Sequence, residues 1–511
     1  MKKYAVYYSI IVLLPIFGRT QPPQDLKRDY VWVAGYNPYD TNPNIIDFIT
    51  YNFNFVPTKI TNTPRSAGYG IVRTNSSICD KDGNLVLYTN GCGILQADHK
   101  PVLGAEAITR GQAADQTCKY KTGYNTARSL FLPDYQEKEG FTLFHISYNW
   151  QPALKTQLMY SRVTPNVQTK WRAVFTDSLI MPNLEIDIKQ AACRHANGRD
   201  WWIVNPLRFE PKAITLLYSK GEIKQQWIQN IDTVPVHFTF GGADFTPDGR
   251  KYIFYEFKTG VRIYDFDRCK GKISNPKYIK DFVPIDSTQV GEIVISPNSR
   301  FLYLNRGYNI LQYDLEATNI GASRTEITSF VTDSITRDNG FPINYYAGRV
   351  GPDGKIYIVG ANGFRYIHII EKPNEKGRAC NLRPYMLPAY GSADIPYFPN
   401  FKLGALKGSP CDTLTTTALK EPERRRVEIK AYPNPTDGLL KLSFYNINTV
   451  NNTSCTVQIF NTTGQVIKHV ELPKLQDTDI DTEGMASGVY ILKVSAKNGA
   501  WSETLKISIL R

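Results

Sequence analysis

Aromatic and β-branched side chains alternate with polar ones in short runs along most of the chain, and each run opens with a tight-turn sequence. The runs are DGNLVLYTNG from Asp82, KEGFTLFHISY from Lys138, NGRDWWIV from Asn197, PDGRKYIFYEF from Pro247, PNSRFLYLNRG from Pro297 and PDGKIYIVGANG from Pro352. Asp-Gly and Asn-Gly accept positive φ and close hairpins. Period-two alternation of Tyr, Phe, Ile and Val predicts strands. Successive turns are 50 to 58 residues apart, and further strand-like runs follow at 261–267, 309–316 and 365–373. A unit of several strands repeating at this period predicts a β-propeller. One period before Asp82 lies Val31-Trp32-Val33, and one period after Asp353 lies Phe398 to Leu406. The expectation is an all-β propeller over 21–412 with seven blades, six and eight being the alternatives. The closing blade would be built from both ends of the domain, which removes the exposed sheet edge.

The pattern changes after 412. Residues 413–426, TLTTTALKEPERRR, are polar and charged and read as a linker. From 427 to 511 alternation resumes, with Val457 and Ile459, Val466 and Ile467, then Val489, Ile491 and Val494. Asn-Pro, Thr-Gly and Asn-Gly turns separate the runs, which predicts a small β-sandwich.

The N-terminus has Lys2 and Lys3, then an apolar stretch of about 14 residues, then Arg19-Thr20-Gln21-Pro22. The stretch is short for a membrane span and reads as a signal peptide over 1–20. No later run is apolar enough to cross a membrane as a helix. The formal charge of +13 over 511 residues is mild and comes with no nucleic-acid motif. It suits anionic glycans or cell surfaces and argues against DNA or RNA as a partner.

Export permits disulfides among the eight cysteines, at 79, 92, 118, 193, 269, 380, 411 and 455. Their wide spacings contain no C-x-x-C pair, so neither zinc nor a thioredoxin-like function is indicated. Two candidate pairs are Cys79 with Cys92, which flank one hairpin, and Cys380 with Cys411, near the end of the large domain. Buried free thiols are the alternative.

Two sets of motifs carry a family resemblance. SSICDKDGNLVLYTNGCGI (76–94) and the stretch 345–412, with its PDGKIY hairpin and later Pro399-Asn400-Phe401, resemble secreted Bacteroidota propeller proteins related to WD-repeat folds. Three runs in the tail resemble the type A sorting domain of the type IX secretion system. They are Tyr432-Pro433-Asn434-Pro435 with Gly438, the FNTTGQ turn containing Gly464, and the run from Gly488 through Tyr490 to Lys493. The resemblance implies export through the periplasm, handling by the type IX machinery through the C-terminal domain, and a place on the outer-membrane surface or in the medium. It also implies O-glycosylation at Asp-Ser/Thr-apolar tripeptides, here Ser178, Thr233, Ser287, Ser334 and Thr413.

Catalytic chemistry is sparse. The six histidines form no metal-binding spacing, and nucleophile elbows, phosphate loops and dinucleotide fingerprints are missing. Asp80-x-Asp82-Gly83 lacks the later ligands of a calcium loop and reads as a hairpin turn. His145 and His368 fall in predicted strands as structural residues, while His195 is a candidate for the propeller's upper face. Tyr148, Trp150, Trp171, Trp201, Trp202 and Trp227 offer flat faces for sugars or peptides, against the alternative of packing between blades. No catalytic residue, cofactor or metal is assigned. The leading expectation is an exported binding protein for a glycan, peptide or protein. The rivals are a secreted hydrolase or lyase and a structural surface component.

Overall fold

The computed structural model describes residues 26–35, 50–55, 58–63, 70–71, 74–120, 123, 128–134, 139–149, 155–237, 241–256, 259–280, 291–328, 337–338, 341–342, 345–360, 364–391, 395–412, 428–445, 454–474, 476–497 and 502–511. The expected signal peptide and linker, and Ser287, Ser334 and Thr413, lie outside the described residues. The chain forms two compact units, Met1–Leu414 and Thr415–Arg511.

The first unit is a succession of small antiparallel sheets in which each strand pairs with its neighbour in sequence. Two sheets have three described strands: Val31–Ala34, Thr50–Phe55 and Thr58–Thr63, then Ser76–Cys79, Leu85–Thr89 and Ile94–Gln96. Four-stranded sheets follow over 130–179, 191–230, 243–279, 291–328 and 348–391. The sequence turns at 82, 139, 197, 248, 298 and 353 each separate the first strand of a sheet from its second. Local chemistry explains this. Asp80 Oδ1 accepts the backbone N–H groups of Asp82 and Asn84, both at 2.9 Å. Asp248 Oδ1 and Asn298 Oδ1 do the same for Arg250 and Arg300. These are side-chain-closed turns.

First strands of successive sheets touch, as in Val31–Ala34 with Ser76–Cys79, and Ala243–Phe245 with Gly291–Ile295. The first and last sheets also share a core. Trp32, Ala34 and Phe55 pack with Tyr346, Ala347, Tyr357, Ile367 and Ile369. The expected closing blade is corrected in one respect. Val31–Ala34 pairs with Thr50–Phe55 in its own sheet, and Phe398 to Leu406 forms no strand. The reason is where the backbone of 395–412 finds its bonds. It leaves the last sheet and runs as a strap over the turns of earlier ones. Asn400 Nδ2 donates to the Pro247 carbonyl at 2.7 Å, Arg194 donates to the Phe401 carbonyl at 3.1 Å, and Leu406 N donates to the Ala196 carbonyl at 2.8 Å. Gly198, at φ +73°, makes room: a Cβ there would lie 2.6 Å from the Ala405 nitrogen.

Cysteine pairing also differs from expectation. Cys92 pairs with Cys118, and Cys269 with Cys411, while Cys79, Cys193, Cys380 and Cys455 are buried thiols. Cys79 ends a strand buried on both faces, whereas Cys92 sits beyond that hairpin, in a cluster with Ala113, Ala114 and Cys118 at the helix Gln112–Thr117. Cys380 is enclosed among Tyr303, Ile356 and Ile370. The strap carries Cys411 to Cys269, in the turn after Gly260–Asp267.

Aromatic residues fill the spaces between sheets. Trp201 and Trp202 are both buried and face opposite ways, as neighbours on a strand must. Trp201 meets Phe401 and the Arg194 guanidinium, and Trp202 meets Trp227 and His195. They are packing residues and not platforms for a ligand.

The second unit is a sandwich. One sheet orders Glu428–Tyr432, Leu439–Tyr445 and Thr478–Asp481; the other orders Val466–Leu472, Cys455–Phe460, Gly488–Ala496 and Ser502–Ile509. Leu440, Leu442, Val457, Ile459, Ile480, Leu492, Val494, Ile507 and Ile509 form its core.

Candidate functional site

The first strands of the middle sheets and the strap enclose a cavity of about 280 Å³. Its walls come from Ala192, Cys193 and Arg194, from Asp244 to Pro247, from Val294 and Ile295, and from Gly348 to Gly351. Asp29, Pro297, Gly354 and the strap residues Phe398 to Asn400, Lys402 and Leu403 complete it. A strand end is a natural place for such a site, because side chains there leave the sheet's packing while the backbone stays held.

Charged groups beneath the cavity neutralise one another. Glu292 is bonded to Arg128 through one oxygen and lies 3.1 Å from Arg349 Nη1 through the other, all three side chains being buried. The guanidinium groups of Arg128 and Arg349 flank the Tyr397 ring, 4.5 and 5.6 Å from its centre. The Tyr397 hydroxyl donates to Asp244 Oδ1 at 3.0 Å, and Phe245 N donates to the same oxygen at 2.8 Å. Burial raises the Asp244 carboxyl above the usual carboxylate range, against the pull of Arg128.

Asp29 differs from these. Its Oδ1 is buried with no hydrogen-bond partner among the described residues. Burial pushes its carboxyl up to about 6, opposed by the charge of Lys402. Lys402 Nζ itself donates to the Pro352 carbonyl at 2.9 Å. Sequence reasoning missed Asp29, Asp244 and Lys402, since no turn or strand pattern marks them. Cys193 also lines the cavity, but burial pushes its thiol up to about 12, so it is not a nucleophile at neutral pH.

A serine–histidine–aspartate grouping lies elsewhere, in the sheet over 130–179. His145 Nε2 is 3.0 Å from Ser161 Oγ and 3.8 Å from Asp177 Oδ1. Both partners meet the same nitrogen, Nδ1 has no partner among the described residues, and Ser161 is fully buried. A relay needs the serine and the carboxylate on different ring nitrogens. Burial holds His145 at about 3, so it is neutral and structural. His368 is likewise held at about 4. His195, considered for an exposed face, is instead buried, with Nε2 at 3.2 Å from the Cys269 carbonyl and Nδ1 accepting from Asn197 N. Among the described residues, no cluster of three or more metal-binding side chains occurs.

Of the Asp-Ser/Thr tripeptides, Thr233 is exposed and Ser178 is half-buried. The neighbouring carboxylates are used in folding. Asp232 accepts from Tyr264, Tyr278, Thr233 N and Val234 N and pairs with Arg262.

In the second unit, the Tyr432–Pro433 and Asn434–Pro435 bonds are cis. Asn434 bonds to the last strand twice, accepting from Ser508 N at 2.8 Å and donating to the Lys506 carbonyl at 2.9 Å. Thr436 N and Leu510 N continue that join. Gly464 has φ +84°, which closes the FNTTGQ turn, whereas Gly438 and Gly488 need no left-handed conformation. The Tyr490 hydroxyl donates to the Ala486 carbonyl, and Lys493 is exposed beside Gln458 and Thr504. The motif residues thus tie the entry turn to the final strand. No described helix is long and apolar enough to cross a membrane.

No curated protein matches the chain. PorZ of Porphyromonas gingivalis, described as an essential bacterial surface component of the type-IX secretion system, is similar at 12% identity and a TM-score of 0.36. That likeness covers 98% of this chain and 61% of PorZ, so the chain spans less than two thirds of PorZ's length. A protein from Lactobacillus plantarum is similar at 12% identity, with a TM-score of 0.39, over 72% of this chain and 96% of that one. The Dos1 propeller is similar at 9% identity, with a TM-score of 0.31, over 61% and 73%. At these scores the likenesses carry no argument about fold or activity. The family model described as the secretion system C-terminal sorting domain matches residues 430–509. The second unit of this chain is therefore a C-terminal sorting domain of the type IX secretion system, and it marks the protein as cargo for export to the cell surface or the medium.

Proposed function

We propose that this protein is an exported binding protein whose first unit, a seven-bladed propeller, presents a ligand cavity at one end of its first strands. A signal peptide over 1–20 would deliver it to the periplasm, and the tail would be removed in the linker at 413–426. The sheets over 31–63, 76–96, 130–179, 191–230, 243–279, 291–328 and 348–391 would be the blades, and the core shared by Trp32 and Tyr357 supports closure of the first onto the last. The observation that carries the binding reading is the cavity lined by Asp29 and Asp244, with Asp29 Oδ1 unpartnered. Buried acceptors are costly unless something satisfies them. Of the two described glycosylation candidates, Thr233 is exposed and Ser178 half-buried, and intact mass of the exported protein tests their modification.

Two measurements test the reading. Deletion of 427–511 should abolish the surface and medium pools and leave protein in the periplasm; unchanged export would overturn the cargo assignment. The thermal midpoint of the exported protein should rise dose-dependently with a polysaccharide or peptide, recovered chemically unchanged. A second reading, glycoside hydrolysis, is favoured by the two carboxylates with raised values in one cavity. Recovery of a cleaved ligand would establish it.

A further inference from the structure

The charged groups around the cavity are unequal in what they leave free. Each base is engaged: Arg194 with the Gly198 and Phe401 carbonyls, Arg349 with Glu292, and Lys402 with the Pro352 carbonyl. Both acids keep acceptor capacity. Asp29 Oδ1 has no hydrogen-bond partner among the described residues, and both bonds to Asp244 fall on Oδ1. Acceptor positions on both acids are therefore open, and a ligand that brings donors would satisfy them.

Charge narrows the choice. Asp29, Asp244 and Glu292 are set against Arg128, Arg194, Arg349 and Lys402, which leaves an excess of one positive charge. An ammonium group would enter against that excess. An anion would meet the two carboxylates that hold the open positions. A neutral ligand bearing hydroxyl groups meets neither penalty, and its O–H groups can donate to both acids. Apart from Thr246 and Asn400, the remaining side chains are mostly apolar, among them Phe245, Val294, Val350 and Phe398. Trp32 stacks against Phe398 at a centroid distance of 6.0 Å and holds its ring in place. A hydroxylated ring with a C–H face matches such a wall, since aromatic faces carry negative potential. At about 280 Å³ the cavity is near the small end of ligand pockets, roughly 300–1,000 Å³. That suits one sugar ring better than a folded peptide.

We propose that this cavity holds a neutral sugar residue, with the carboxylates of Asp29 and Asp244 accepting its hydroxyl protons and Phe398 facing its C–H surface. The proposal rests on the binding reading above and names the class of ligand. It also separates the two acids in role. Asp29, with its Oδ1 unpartnered, supplies the larger share of affinity. Asp244, steadied by Tyr397, fixes the orientation.

The test uses the purified full chain and calorimetric titration with galactose, mannose and N-acetylglucosamine. Ethanolamine and glucuronate serve as the cationic and anionic probes. At least one neutral sugar should bind, and Asp29→Asn and Asp244→Asn should each weaken it about tenfold or more. Asp29→Asn removes a desolvated charge, so folding is preserved; circular dichroism and the two disulfides check this. Ethanolamine binding that is lost in Asp29→Asn, with no sugar bound, overturns the sugar class and leaves the cavity as a binding site. Sugar binding indifferent to both substitutions overturns the cavity while leaving a binding protein. No binding by any probe overturns this proposal, and if polysaccharides and peptides also leave the thermal midpoint unmoved, the binding reading falls with it.

Discussion

The hydroxyl of Tyr397 donates to Asp244 Oδ1 at 3.0 Å, joining residues 153 apart in sequence. The strap and a first strand of a central sheet are thereby fixed to each other at the cavity wall. Tyr397 also sits between two guanidinium groups, so its ring and hydroxyl both serve charged neighbours. Tyr397→Phe keeps the ring and removes the donor from a buried carboxylate. The expected cost is about 1–3 kcal/mol. Urea unfolding should show a larger loss at pH 8 than at pH 5, because the lost bond favoured the ionised form; equal losses would show that the bond does not act on the charge.

Non-reducing peptide mapping should recover Cys92–Cys118 and Cys269–Cys411. Cys79, Cys193, Cys380 and Cys455 should resist alkylation until the protein unfolds. Burial raises all four thiols, Cys79 and Cys193 to about 12. Replacing Cys411 with Ser opens a loop of 142 residues and should cost up to about 5 kcal/mol on the chain-entropy account. It should also release the strap, and faster proteolysis within 395–412 is the readout.

Acid should destabilise the first unit through its buried histidines. His145 is held at about 3 and His368 at about 4, against about 6.5 in an unfolded chain. Between those values the unfolded chain binds protons that the folded chain refuses, so stability falls as pH drops from about 6.5. Protonation would also cost His368 Nδ1 its bond from Tyr385 N. The double variant His145→Gln, His368→Gln should show a shallower fall in thermal midpoint between pH 6.5 and 4.5. An unchanged slope would assign the acid limb to other groups.

Asp29 has the opposite sign. Its folded value of about 6 lies above the unfolded one of about 3.9, so the folded state binds more protons between them. Its contribution is lost as pH rises through 6. Asp29→Asn should therefore stabilise the protein at pH 7.5, by on the order of 3 kcal/mol, and change little at pH 4.5. A loss of stability at pH 7.5 would mean the carboxylate has a structural partner.

Arg262 is fully buried between Asp232 and Glu256 and donates to the Val234 and Pro235 carbonyls. Arg262→Ala leaves two acids without their cation and should cost about 3–5 kcal/mol. The loop carrying Thr233 rests on the same group, so hydrogen exchange there should rise together with the stability loss.

By itself the sequence determined what is local. Turns such as Pro247-Asp248-Gly249 close through their own side chains, so the hairpins, their period and the alternation of the sandwich strands were legible. The sorting-domain runs were legible in part for the same reason: Gly464 acts within its own turn, whereas the bonds of Asn434 to the last strand were not legible. The Asp80 turn followed from its Asp-Gly sequence, and the structural roles of His145 and His368 from position in a strand. Only the tertiary structure decided what depends on chain returning from far away. The path of 395–412 is set by carbonyls at Pro247 and Ala196, and it chooses Cys269 as the partner of Cys411. Burial raises Asp29 and Asp244, and burial is the sum of many neighbours that no spacing records. The cavity exists because first strands from separate sheets and one strap converge, and so its residues share no motif.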